Sequence, residues 1–245
     1  MSCAKLDRIT PTRRPEGVRI SGYQRWRHLL FVHYRYPVEE VRKLVPSELE
    51  LDLWDGEALV GVVPFEMKDI RLAWFPAAFG LDFLETNVRT YVHYKGEPGV
   101  YFFSLEASSW LAVKGARVGW GLPYHHATMS VDHRCGAIHY ETRRHSDETA
   151  MHRARYRPGD ELGPSAPGTL EFFLLERYYL FAKRRGRIEK GHVHHVPYPA
   201  QRVSEFEVSD GLVAAAGLGP APPSPAFIHY SSGVDVEVFG PWPLE

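Results

Sequence analysis

The stretch Phe83-Leu84-Glu85-Thr86-Asn87-Val88-Arg89-Thr90-Tyr91-Val92-His93-Tyr94-Lys95-Gly96-Glu97-Pro98-Gly99-Val100-Tyr101-Phe102-Phe103-Ser104-Leu105-Glu106 decides the fold class. Two runs rich in aromatic and apolar residues flank a cluster of turn formers, Gly96-Glu97-Pro98-Gly99. That arrangement predicts a β-hairpin turning on those four residues. Along a strand, successive side chains point to opposite faces. Glu85, Asn87, Arg89 and Tyr91 therefore form a polar stripe, while Val88 and Val92 point the other way. Such a stripe either faces water or lines a polar interior. The flanks, Phe83-Leu84 and Val100 to Phe103, look buried and favour the interior. A carboxylate and a guanidinium four residues apart on one strand face can share a site, and the guanidinium fork matches a carboxylate ligand.

Outward from this hairpin the pattern repeats. Residues 25–34 read as a strand, and Pro37 opens a short helix, Val38 to Leu44, where its missing N–H costs nothing. Leu49, Leu51 and Leu53 alternate with Glu50 and Asp52, and residues 58–65 return after the turn Trp54-Asp55-Gly56, which predicts a second hairpin. Residues 107–118 read as a helix capped by Ser108 or Ser109. Strands are expected at 124–133, 137–144, 151–156, 178–184, 188–195, 200–208 and 234–239. The Pro- and Gly-rich 158–168 reads as a loop, 169–177 as a short helix capped by Thr169, and 209–216 as a brief helix. Residues 1–20 are polar and basic and are expected to form a flexible arm before a single domain, 21–245. Many short strands with few short helices predict a mostly β chain closed into an antiparallel β-barrel, with a β-sandwich as the competing architecture. A barrel of this kind can hold one small ligand.

At 245 residues the chain is long enough for a substantial core. A net charge of −1 gives no electrostatic reason to expect nucleic acid or an anionic membrane as partner. Two cysteines, Cys3 and Cys135, make no disulfide framework. Met1 to Glu16 has no apolar core of signal-peptide length, and no run approaches the roughly 20 apolar residues of a membrane helix. A reducing cytoplasm is the expected compartment.

A second segment, Ala116-Arg117-Val118-Gly119-Trp120-Gly121-Leu122-Pro123-Tyr124-His125-His126, resembles acetoacetate decarboxylase and its relatives. Those proteins carry Arg-Glu, a short spacer, then Gly-x-Pro-Lys-Lys. Arg117, Gly121 and Pro123 stand at matching places, but the lysine pair falls on Tyr124 and His125, and the glutamate on Val118. The chain also resembles an uncharacterised bacterial family, YqjF-like, placed in the same superfamily. It shares Phe31 with His33, Leu44-Val45-Pro46, Asp55-Gly56, Val62-Val63-Pro64-Phe65, Glu85 to Tyr91, Leu122-Pro123-Tyr124 and Glu176-Arg177-Tyr178. The resemblance implies the decarboxylase fold without its chemistry. That chemistry runs through a Schiff base on a lysine whose pKa is lowered by burial and a neighbouring cation. Tyr124 has no amine, His125 cannot replace it, and Lys114 lies outside the matching position.

The expected site is therefore Glu85 and Tyr124 as acid–base groups, with Arg89, Arg117, Asn87 and His125 binding a small organic acid, a keto acid in particular. The alternative is a non-catalytic protein in which the same residues bind a ligand or only hold the fold together. Whether the chain forms a homo-oligomer is left open, and neither cofactor nor metal is expected. His192, His194 and His195 cluster, but no third ligand has diagnostic spacing. Gly-x-Gly-x-x-Gly, P-loop and Gly-x-Ser-x-Gly motifs are absent.

Overall fold

The structure, a computed structural model, describes residues 6–184 and 186–244; for residues 116–118 only the backbone is described. Among the described residues, twelve strands and four α-helices follow one another. They are β1 (Gly22–Tyr36), α1 (Val38–Leu44), β2 (Glu50–Leu51), β3 (Ala58–Leu72), β4 (Leu81–Tyr94), β5 (Glu97–Ala107), α2 (Trp110–Trp120), β6 (Tyr124–Arg134), β7 (Ala137–Arg144) and β8 (Met151–Glu161). After these come α3 (Leu170–Leu175), β9 (Tyr179–Arg184), β10 (Arg187–His194), β11 (Ala200–Asp210), α4 (Leu212–Ala215) and β12 (Phe227–Pro243). The mostly β expectation holds. Among the described residues no helix is long and apolar enough to cross a membrane.

All the strands belong to one sheet, and the sheet closes on itself. The path β12–β1–β3–β4–β5–β9–β10 returns to β12 and makes a ring of seven strands. A second path, β5–β6–β7–β8–β11–β12, closes a larger ring on the same wall of five strands, β12, β1, β3, β4 and β5. Most pairings are antiparallel; β5 pairs in parallel with both β6 and β9. At the second of these contacts Gly99 faces Tyr179, and a Cβ there would lie 2.6 Å from the Tyr179 carbonyl oxygen, so the ring closes through a glycine.

The shared wall is buried on both sides, which explains its near-continuous apolar character. Leu29, Phe31, Leu59, Val63, Phe65 and Tyr91 belong to the core of the first ring. Leu30, Val32, Val60, Val62, Val88 and Val92 alternate with them and belong to a second core with Ile138, Ala154, Tyr156 and Tyr230. The helix α3 contributes Phe173, Leu174 and Leu175 to the first core. Its N-cap is Thr169, whose side chain accepts from the Phe172 N–H, as expected from sequence.

Two local expectations are corrected. The β4–β5 hairpin turns on Lys95 and Gly96, with φ of 47° and 86°, and Glu97 already belongs to β5. A two-residue turn with both φ positive matches the right-handed twist of the flanking strands. The strand around Leu51 does not pair with β3: Glu50 and Leu51 lie beside His93 and Val92 of β4, because β3 already has β1 and β4 on its two edges. The segment before β1 is fastened at several points. Arg8 makes two hydrogen bonds to the Asp52 carboxylate at 2.6 and 2.7 Å, His192 Nε2 donates to the Pro11 carbonyl at 2.8 Å, and Arg14 pairs with Glu237 at 2.6 Å.

Candidate functional site

The polar stripe of β4 faces into the first ring. Tyr91 shares its strand face and is packed in the first core, and Glu85, Asn87 and Arg89 are all buried. Their neighbours on β3 are Phe65 opposite Glu85, Val63 opposite Asn87 and Gly61 opposite Arg89. A solvent-facing stripe is thereby excluded.

Glu85 is 3% exposed. The Tyr124 hydroxyl donates to its Oε2 at 2.7 Å, and the Asn87 amide adds a further hydrogen bond. Register explains the meeting: Tyr124 opens β6 beside Leu105 of β5, and Leu105 lies beside Asn87 of β4. Burial pushes the Glu85 pKa up to about 7 against the opposing pull of the Tyr124 and Asn87 hydrogen bonds, and the Glu106 charge pushes the same way as burial. Tyr124 is held well above its ordinary pKa by burial and by the Glu85 charge, so it stays a donor. From β7, the Tyr140 hydroxyl reaches the backbone carbonyls of Phe65 (2.8 Å) and Glu85 (3.0 Å) and holds β3 and β4 together at this point.

Further along the stripe, Arg89 lies over the Phe31 ring, its guanidinium carbon 5.5 Å from the centroid. Among the described residues it makes no ion pair, and its Nε and Nη2 are buried without hydrogen-bond partners. The Asn87 Oδ1 is likewise buried and unpartnered. Gly61 leaves room beside it, since a Cβ there would meet His33 Nε2 at 3.3 Å and Arg89 Cγ at 3.6 Å. Tyr91 donates to the Leu174 carbonyl at 2.8 Å and receives His33 Nε2–H at 2.6 Å, which leaves His33 Nδ1 a bare acceptor. Burial holds His33 well below its ordinary pKa, helped by the Arg89 charge.

A second histidine joins from the end of β10. His195 Nδ1 donates to the Val196 carbonyl at 2.7 Å, so its buried Nε2 is an acceptor without a partner. Burial, together with the charges of His194, Arg89 and His192, lowers its pKa to about 4, against the hydrogen bond to Val196. Its ring stacks on Tyr178 and lies 4.6 Å from Tyr198, which in turn contacts Phe31. An unpaired buried cation and a set of bare acceptors are costly to bury. A ligand with acceptors for the Arg89 N–H groups and donors for the bare acceptors could satisfy them.

The expected residues fall into three groups. Glu85, Asn87 and Tyr124 meet directly, and Arg89 lies farther along the same face. His125 follows Tyr124 on β6 and is only half-buried; strand alternation turns it from the Tyr124 side. The side chain of Arg117 lies outside the described residues. His33 and His195 were missed by sequence reasoning. The signal available for His33 was its two-residue spacing from Phe31 on a buried strand; His195 had none beyond its cluster. Lys114 is exposed, with Nζ 3.8 Å from the Trp110 ring centroid, and among the described residues no buried polar side chain is a lysine. A surface cleft of about 420 Å³ beside Tyr94, Tyr179 and Lys190 contains none of the residues of the stripe, and Lys190 there is already paired with Glu97 at 2.7 Å.

The architecture defines the class. The fold is that of the acetoacetate-decarboxylase-like proteins: it matches acetoacetate decarboxylase from Legionella pneumophila subsp. pneumophila str. Philadelphia 1 with a TM-score of 0.64 at 15% identity, over 95% of this chain and 91% of that one. It matches the enduracididine biosynthesis enzyme MppR complexed with pyruvate equally well, with a TM-score of 0.64 at 14% identity, over 96% of this chain and 95% of that one. Within that class, the chain belongs to the DUF2071 family, described as "Uncharacterized conserved protein (COG2071)", whose model matches residues 23–235. It is 39% identical over 231 residues to the uncharacterized protein YqjF of Bacillus subtilis (strain 168), covering 94% of this chain and 93% of that protein.

Proposed function

We propose that the first ring binds a small keto acid, with Arg89 holding its carboxylate and the Tyr124–Glu85 pair exchanging a proton at the carbon beside its carbonyl. The observation that carries this reading is the Arg89 guanidinium, buried with Nε and Nη2 unpartnered. A bidentate carboxylate is the ligand that satisfies this fork. Glu85, with a pKa of about 7, can accept and return a proton near neutral pH, and Tyr124 can donate to a carbonyl or enolate oxygen. MppR was solved with pyruvate, a molecule of the proposed class. Tyr124 stands where the resemblance expects lysine, so the reaction proceeds without an iminium. We assign the protein to the cytoplasm, in keeping with its two cysteines and lack of a disulfide framework.

Pyruvate and acetoacetate are the probes. Borohydride reduction with either is expected to leave the mass of the protein unchanged; a trapped adduct would overturn the mechanism. Arg89→Met should weaken binding of the probe at least about tenfold, the worth of hydrogen bonds to a charged group. It should leave the melting temperature unchanged or raised, because an uncompensated buried charge is removed. Loss of stability without loss of binding would make Arg89 a structural residue. Proton exchange is read by NMR as deuterium uptake into pyruvate in D2O. Glu85→Gln should abolish the uptake while retaining binding, whereas a wild-type protein that binds pyruvate without uptake is a binder and not a catalyst.

A further inference from the structure

We propose that His28, Glu66 and His133 form a binding site for a divalent transition-metal ion such as zinc, on the opposite side of β3 from Glu85. The three residues come from β1, β3 and β6, and one ligand atom of each lies within 4.8 Å of the other two. Glu66 alternates with Phe65 and Met67, which belong to the first core, so its carboxylate leaves the other face. The donor set of two imidazoles and one carboxylate is the one that holds zinc and other first-row ions with open positions for water or substrate.

Three features go beyond proximity. First, His28 has φ of 53°, a left-handed backbone uncommon among non-glycine residues, and it lies in the segment where the β1–β3 register shifts between Arg27 and Val32. Strain of this kind gathers where a side chain must be aimed. Second, His28 Nδ1 is 2.7 Å from the Tyr230 hydroxyl. With Nδ1–H donating there, the tautomer is fixed and Nε2 presents a lone pair, the arrangement found behind metal-bound histidines. Third, His133 Nε2 already lies 2.9 Å from Glu66 Oε1, and the His28 and His133 rings are 4.5 Å apart. The competing cation, Lys68, sits on the other oxygen, Glu66 Oε2, at 3.3 Å and has a second carboxylate in reach, Asp82 at 3.6 Å. Tyr156, whose ring lies 6.0 Å from Tyr230, has a buried hydroxyl without a partner beside this cluster.

A tetrahedral zinc ion with bonds of about 2.0–2.2 Å places its donors about 3.4 Å apart, so the cluster must contract. His133 supplies that movement: its side chain is 43% exposed and stands next to the end of β6.

Titration with zinc alone should show one ion bound per chain, and cobalt alone should give the visible d–d bands of a low-coordinate site. His133→Gln, on an exposed side chain, is expected to fold as wild type and lose the ion at least about 100-fold in affinity. Glu66→Gln should do the same, and His28→Asn keeps a residue that tolerates the left-handed backbone while removing the ligand. Tyr230→Phe should weaken binding about tenfold or more, the usual worth of a partner behind a ligand. His126→Gln, in the separate His126–His145 ring pair, should change nothing. Absence of stoichiometric binding, binding unaffected by His133→Gln, or equal loss in His126→Gln would overturn the proposal. Should His28→Asn fail to fold, His133→Gln alone decides.

Discussion

Glu85 carries a pH dependence that can be measured without knowing the ligand. Its pKa stands at about 7 in the folded chain against an ordinary 4.5, chiefly through burial, so the folded state binds this proton more tightly than the unfolded one. Stability from this group is fully present below pH 4.5, falls as pH rises, and is gone above 7, a swing on the order of 3 kcal/mol at most. Glu85→Gln keeps the shape of the neutral acid and cannot ionise. Urea melts between pH 5 and 8 should therefore show a decline in the wild type that is flattened in the variant. Parallel slopes would mean that Glu85 does not titrate in this range. Tyr124→Phe removes a hydrogen bond that lowers the Glu85 pKa, so the decline should move to higher pH.

Between elements, one buried polar joint is made by Arg177, which follows α3, and Asp52, on the way from β2 to β3. Their side chains are each 2% exposed and meet at 2.6 Å, with Arg177 also donating to the Phe173 carbonyl and lying over the Phe173 and Tyr91 rings. Breaking such a pair from one side strands a charge, so Asp52→Ala should cost about 3–5 kcal/mol in denaturant melts. Asp52→Ala with Arg177→Met should cost less than the sum of the two single changes. This joint was visible in sequence only as a phrase, Glu176-Arg177-Tyr178, without its partner. Elements that depend on local rules were legible. The helix Val38–Leu44, opened by Pro37, and the strand Ala137–Arg144 appear as expected, because proline placement and period-two alternation are properties of neighbouring residues. The stripe Glu85, Asn87, Arg89 was legible for the same reason. What escaped depends on residues far apart in the chain: the β2–β4 pairing, the parallel β5–β9 contact, and His33 and His195 near Arg89. The cluster His28, Glu66 and His133 escaped because each residue lies alone on its own strand, whereas in the group His192, His194 and His195, conspicuous in sequence, His192 and His195 turn to separate carbonyls, those of Pro11 and Val196.

At the scale of the molecule, two rings lean on one wall, and the first ring closes where Gly99 passes Tyr179. Gly99→Ala drives a methyl to 2.6 Å from a backbone oxygen and 2.8 Å from the Phe181 ring, neither of which can yield cheaply. A loss of about 1–3 kcal/mol is expected, measured by thermal melting, and a neutral result would show that β5 and β9 can part without consequence. The wall itself constrains how this chain can be altered. Because its strands present one set of side chains to each ring, adding or deleting a single residue in β4 would transpose the two sets: Thr86 and Thr90 would enter the first ring, and Glu85 and Arg89 the second. Such a change is a frameshift in space, leaving composition almost intact while exchanging the contents of two compartments. Point substitutions can explore new chemistry on either side, but an added residue must be taken up in a turn or in a bulge such as the one where the β1–β3 register shifts between Arg27 and Val32.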